Sequence, residues 1–124
     1  MRHGQDMRAK DAVGRYGEDV AAQHVLQAGW QVLDRNWRCR DGEIDLVGLD
    51  GDELVVVEVK TRRSTAYGHP AEAVTRLKLA RVRRLAAAWL AAHDQRVASV
   101  RVDVIAVLLP PRGAAVVEHL VGVI

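Results

Sequence analysis

The sequence predicts an α/β domain with a central mixed five-stranded sheet and flanking helices, in the order helix-strand-strand-strand-helix-strand-strand. Three observations carry this prediction. Two segments, one from Asp11 and one from about 71, place apolar residues at helical spacing. Five further segments are short runs rich in Val and Leu, set off by turn signals. In the middle pair of runs both alternating sets of positions are apolar, as in strands covered on both faces.

The polar stretch 1–10 lacks periodicity and reads as a mobile N-terminal tail, leaving 11–124 as the folded domain. The first helix starts at Asp11, with Val13, Gly17, Ala21, His24 and Ala28 on one stripe and Gly29 placed to end it. Gly14, Gly17 and Ala21 make one side small enough to lie close on a sheet. Strands follow at about 30–37 ("WQVLDRNW"), 43–49 ("EIDLVGL") and 53–61 ("ELVVVEVKT"). The "DGD" between the last two favours a tight hairpin pairing Asp50 with Glu53. Counting outward sets Asp45 opposite Glu58 and Glu43 opposite Lys60. It also puts Val47, Leu49, Leu54 and Val56 on one face and Ile44, Leu46, Val55, Val57 and Val59 on the other.

After the loop "STAYGHP", Pro70 suits the first turn of a second helix over about 71–93, with Ala71, Val74, Val82, Leu85 and Trp89 as its stripe. Strands at about 98–108 and 115–121, joined through "PPRG", complete the chain.

Composition narrows the function classes. A chain of 124 residues can bury roughly two-thirds of its unfolded surface without disulfides or metals. With Cys39 as the one cysteine there is no internal disulfide and no zinc-site spacing, which fits a reducing, cytoplasmic setting. No apolar run reaches the ~18 residues of a spanning helix, so no membrane partner is expected. The net charge of +2 argues little by its total, but basic residues cluster at 35–40, 60–63 and 76–84 while acids concentrate between 41 and 58.

Asp45, Glu58 and Glu43 therefore gather at the end of central strands far from the turn, where desolvated carboxylates cost several kcal/mol each unless paired or holding a cation. Lys60 supplies one positive charge, too little for three acids. A divalent hard cation such as Mg2+ or Mn2+ fits the remainder. A cation that polarises a phosphate, beside a lysine that steadies the developing charge, outlines phosphodiester hydrolysis. The competing explanation is a cross-strand salt bridge from Lys60 to Glu43 or Glu58. In the second helix Lys78 falls within the apolar stripe, so it must snorkel out or face a polar cavity. A cavity at the acidic site, with Lys78 and Arg81 meeting a phosphate, is the expected arrangement. Arg62, Arg63, Arg35 and Arg38 are candidates to follow a nucleic-acid backbone. Asp103 suits a structural hydrogen bond within its strand, and His24 and His69 read as a packed and a loop histidine.

"GEIDLV" at 42–47 followed by "VVVEVKTR" at 55–62 resembles the split motif of the restriction-endonuclease-like nuclease superfamily. In that motif an Asp and a Glu bind metal, and a Lys follows the Glu by two. The chain resembles more closely the YraN family of small bacterial proteins, which is similar to archaeal Holliday-junction resolvases. "GRYGEDVAAQHVLQAGW" at 14–30, "RNWR" at 35–38, "YGHPAEAV" at 67–74 and "VRVDVIAV" at 100–107 extend the likeness over nearly everything after the tail.

The resemblance implies a restriction-endonuclease-like fold, with Asp45 and Glu58 as metal-binding acids and Lys60 as the catalytic lysine. It further implies Glu18 as the first-helix glutamate of resolvase-like members. Ile44 stands where the superfamily motif has a proline, and Glu43 is an additional acid, a candidate for the metal whose role the match leaves open. The implied activity is endonucleolytic cleavage of branched or structured DNA by a homodimer, alongside a branch-migration or recombination protein. The rivals are a nucleic-acid-binding module without catalysis and a structural interaction protein whose acids and lysine are salt-bridged.

Overall fold

The computed structural model describes residues 2–63 and 76–123, with side chains from 12 to 63 and from 78 to 123. The elements are α1 (Arg2–Gln27), β1 (Gln31–Cys39), β2 (Gly42–Asp50), β3 (Glu53–Arg62), α2 (Arg76–His93), β4 (Ser99–Leu108) and β5 (Val116–Leu120). The expected α/β order is present. The strands form one sheet in the order β1-β2-β3-β4-β5, antiparallel except for the parallel β3–β4 pair that the α2 crossover connects.

The start of the first helix differs from expectation. α1 begins at Arg2 rather than Asp11, because Gln5, Met7, Arg8, Ala9 and Lys10 are good helix formers that continue a helix without an apolar stripe. Its end is where Gly29 was expected to act. Gly29 adopts φ 93°, and the amides of Gly29 and Trp30 turn back to Leu26 O and Val25 O, both at 3.0 Å. The proposed loop at 64–70, His69, Pro70 and the start of the second helix with Ala71 and Val74 lie outside the described residues.

The two helices cover opposite faces of the sheet. Ala21, Ala22 and Val25 of α1 pack with Trp30, Leu46, Val55, Val57, Ile105 and Val107. Leu85, Ala86 and Trp89 of α2 pack with Ile44, Val47, Leu54 and Val56. Trp89 Nε1 donates to Asp34 Oδ2 at 3.0 Å, which fixes the C-terminal half of α2 over β1. α1 approaches β3 closely enough that a Cβ on Gly17 would run into the Thr61 side chain.

Asp103 is the one buried polar or charged residue among the described residues, and it lies on the α1 face. Asp103 accepts from Arg101 Nε at 3.0 Å and Nη2 at 3.2 Å, from His119 Nε2 at 2.7 Å and from the Gly122 amide at 2.8 Å. With His119 Nε2–H donating to Asp103, its Nδ1 faces His24 Nε2, 3.1 Å away. Arg101 continues to Asp50 and Glu53 and lies over the Trp30 ring. Asp103 was expected to bond within its own strand. The two bonds from Arg101 lie within β4 as expected, while those from His119 and Gly122 tie β4 to β5 and the residues after it, and His119 carries the contact on to α1.

Two stability outcomes follow from these contacts. Asp103→Ala leaves the donors of Arg101 and His119 without their buried acceptor and should cost about 3–5 kcal/mol in urea unfolding. Gly17→Ala forces α1 away from β3 and should cost about 1–3 kcal/mol in the same measurement.

Candidate functional site

The β2–β3 hairpin is the local origin of the site. Gly51 takes φ 65° in the two-residue turn, and the ladder runs from Asp50↔Glu53 to Leu46↔Val57 in the register expected from the sequence. There it stops. Asp45 and Glu43 were expected to face Glu58 and Lys60 across a continuing ladder, but β2 stays with β1 through Trp37↔Ile44 and Arg38↔Glu43. β3 stays with β4 through Glu58↔Val104 and Lys60↔Ala106. The two central strands fork.

Asp45 sits at the fork. Its Oδ2 accepts the Val59 amide at 2.9 Å, taking a donor that a continuing ladder would have used. On the β1 side Asn36 holds a left-handed φ of 54°, a conformation that Asn tolerates better than most residues. Past this kink the side chains change face. Leu46 belongs to the α1 cluster but Ile44 to the α2 cluster, so the expected placement of Ile44 with Leu46 is corrected. Strict alternation fails because the strand is irregular at Asp45.

The fork opens into a cleft of about 300 Å³ on the α2 side, lined among others by Glu43, Asp45, Glu58, Lys60 and Arg81. Glu58 and Lys60 project from β3 on the same face as Val56. Glu58 Oε1 meets Lys60 Nζ at 3.1 Å and Lys78 Nζ at 2.8 Å. Lys78 thus reaches the acidic cleft, as its place in the α2 stripe suggested. The Arg81 guanidinium lies against Gly42, where a Cβ would be 3.2 Å from Nη2.

On the opposite side of the fork, the close approach at Gly17 brings in its neighbour Glu18. Glu18 Oε2 is buried without a hydrogen-bond partner.

Electrostatics separates the two strand acids. Burial pushes Asp45 from its ordinary 3.8 up to about 6, against the Val59 hydrogen bond and with help from the charges of Glu18, Glu58 and Glu43. For Glu58, burial also acts upward, but Lys78 and Lys60 outweigh it and hold the carboxyl below its usual range. Burial and the neighbouring Lys78 ammonium push Lys60 down, while Glu58 opposes them. Burial pushes Lys78 down as well, but its bond to Glu58 outweighs this and leaves it raised.

The remaining candidates are less central. Glu43, expected near Lys60, pairs with Arg38 Nε at 3.2 Å on the rim of the cleft. Arg38 is largely exposed, and Arg62 is exposed at the end of β3. Arg35 is drawn toward α1 by Asp19 at 2.6 Å.

Among the described residues no three Asp, Glu, His or Cys side chains are grouped to hold a metal as they stand. Asp45 is engaged by an amide and Glu58 by two ammonium groups. The chemistry of the donors nevertheless fits a hard cation: all are carboxylate oxygens, one is buried without a partner, and one acid is held well above its usual pKa.

Sequence reasoning missed the Val59 amide and the Asn36 kink. The amide has no side-chain signature, and the Asn in "RNWR" was the available signal for the kink. Arg101 was also missed, although its spacing of two from Asp103 places both on one face of β4.

Comparison with known proteins gives this arrangement a family. Residues 17–107 match the Uncharacterised protein family UPF0102. The chain belongs to that family. A UPF0102 protein of Beutenbergia cavernae is 65% identical over 117 residues, covering 94% of this chain and 99% of the relative. One from Kineococcus radiotolerans is 61% identical over 118 residues, covering 94% and 97%. One from Streptomyces coelicolor is 57% identical over 122 residues, covering 97% and 94%. UPF0102 is the YraN family that the motifs resemble. Its matched span runs from Gly17, beside Glu18, to Val107 at the end of the α1-face core, and so contains the whole fork.

The two strand acids should respond oppositely to neutralisation. Between pH 3.8 and about 6 the folded state holds an Asp45 proton that the unfolded chain has lost, so this group's contribution to stability falls as pH rises through that window. Asp45→Asn removes the unfavourable charge, so it should stabilise the metal-free protein above pH 6 by up to about 3 kcal/mol, with the gain vanishing near pH 4. Glu58 has the opposite sign. Its stabilising share is present above the unfolded carboxyl pKa and is lost as pH falls through the lower folded value. Glu58→Gln, which leaves two ammonium groups facing each other, should lower the melting temperature at pH 7. Thermal melts of both variants across this pH range check the signs.

Proposed function

We propose that this chain is a metal-dependent endonuclease that hydrolyses phosphodiesters in branched or otherwise structured DNA. The observation that carries the reading is the fork itself. It sets Asp45, which feels the charge of Glu18 from the opposite side of the fork, beside Glu58 and a lysine with a lowered pKa, in a cleft bordered by further basic side chains. Structural ion pairs alone do not require an acid held near pH 6 next to a buried carboxylate oxygen without a partner. Function commonly resides in such locally unfavourable groups.

In this reading Asp45, Glu58 and Glu18 hold Mg2+ or Mn2+, with Glu43 at the rim. The cation would supply positive charge against the phosphate oxygens and against the charge that builds in the transition state. Lys60 orients the attacking water and donates to a phosphate oxygen, and its lowered pKa eases proton transfer during attack. Lys78 and Arg81 bind the phosphate from the α2 side, and the exposed Arg62 and Arg38 follow the DNA backbone without selecting sequence. A homodimer would let two strands be cut together, in the cytoplasm and alongside a recombination or branch-migration protein.

One observation favours a second reading. Glu58 is already shared by two lysines, as expected of a non-catalytic module that grips DNA for a repair or recombination partner.

Linear, flapped and four-way DNA, each incubated with Mg2+ or Mn2+, distinguish the two. Nicking of the branched substrates should fall by at least about a hundredfold in Asp45→Ala and in Lys60→Ala. Tight junction binding with no cleavage in either metal would assign the chain to the second class.

A further inference from the structure

Glu58 has two lysines where one would neutralise it. Lys60 comes from β3 and Lys78 from α2, and both ammonium groups converge on the same oxygen, Oε1, at 3.1 and 2.8 Å. They are close enough to interact with each other, and Arg81 adds a third positive charge nearby. Two ammonium groups and a guanidinium thus gather around this one carboxylate. Across the fork, Asp45 and Glu18 have an excess of anionic charge. Each half is suited to a ligand of the opposite sign, and Glu58 joins the halves.

We propose that Lys78 is an exchangeable internal counter-ion: it pairs with Glu58 in the resting site and passes to a phosphate group when a divalent cation takes the Glu58 carboxylate. This rests on the reading of the cleft as a cation and phosphate site. Breaking the Glu58 pairs is an unfavourable step common to both ligands. Whichever binds first performs it, so the second binds more tightly. The coupling is reciprocal, because the factor by which phosphate strengthens cation binding equals the factor by which the cation strengthens phosphate binding.

The test uses Mg2+ and inorganic phosphate as probes, separately and together, with the melting temperature of the full chain as readout. In the wild type each probe should enhance the other's apparent affinity by about tenfold. Lys78→Gln should bind Mg2+ alone several-fold more tightly than the wild type, and the coupling factor should collapse toward one. Lys78→Arg, which keeps the pair, should retain the coupling and shows that a change in Lys78→Gln is not misfolding. Independent binding of the two probes by the wild type would overturn the proposal, as would an unchanged coupling factor in Lys78→Gln. If metal-dependent junction nicking persists in either of those cases, the nuclease reading survives and only the exchange is lost. Absence of any Mg2+ effect on melting, together with absence of nicking, removes both.

Discussion

The arrangement of the cleft depends on one interrupted ladder. A two-residue turn locks β2 and β3 into register, and the pairing holds as far as Leu46 and Val57. Beyond that point each strand follows its outer neighbour. A backbone amide exposed by such a separation must find another acceptor. The Asp45 carboxylate takes the role for Val59, and this fixes where the acid points. The sideways direction of Asp45, the opening toward α2 and the position of Glu58 all follow from two central strands that part while remaining paired at their outer edges.

The sheet carries buried acids in two contrasting states. Asp103 has no exposed surface and four donors from Arg101, His119 and Gly122. That network satisfies its carboxylate and ties the last strand to the sheet. Asp45 receives one amide and lies within the field of three other acids. The same residue type is a stabilising tie in one place and a charged liability in the other. Burial alone does not separate the two; the number and sign of the partners does.

Much of this was legible in the sequence, for identifiable reasons. Gly29 ended the first helix because a left-handed residue closes the last turn there. "DGD" fixed the hairpin register, and alternation from that turn placed Glu58 and Lys60 on one face with Val56. The position of Lys78 in an apolar stripe pointed to a polar cavity, and its ammonium group lies on Glu58. The changes at the fork were hidden because the period-two rule assumes an unbroken strand. Ile44 therefore went to the wrong face, and Glu43 was assigned to Lys60 rather than to Arg38. The helical run before Asp11 was missed because propensity without amphipathicity leaves no periodic trace.

The parallel pairing of β3 with β4 also sets an order of assembly. The β2–β3 hairpin joins residues close in sequence, whereas β4 must return across the whole α2 connection before Glu58 can lie beside Val104. Loop-closure entropy delays such non-local pairing relative to local pairing. The strand acids and Lys60 therefore come together within a quickly closing local unit, and the basic side chains of α2 join them only when the long connection docks. The charge balance of the cleft is thus completed late: Glu58 has Lys60 as its neighbour from the start and gains Lys78 only when α2 docks.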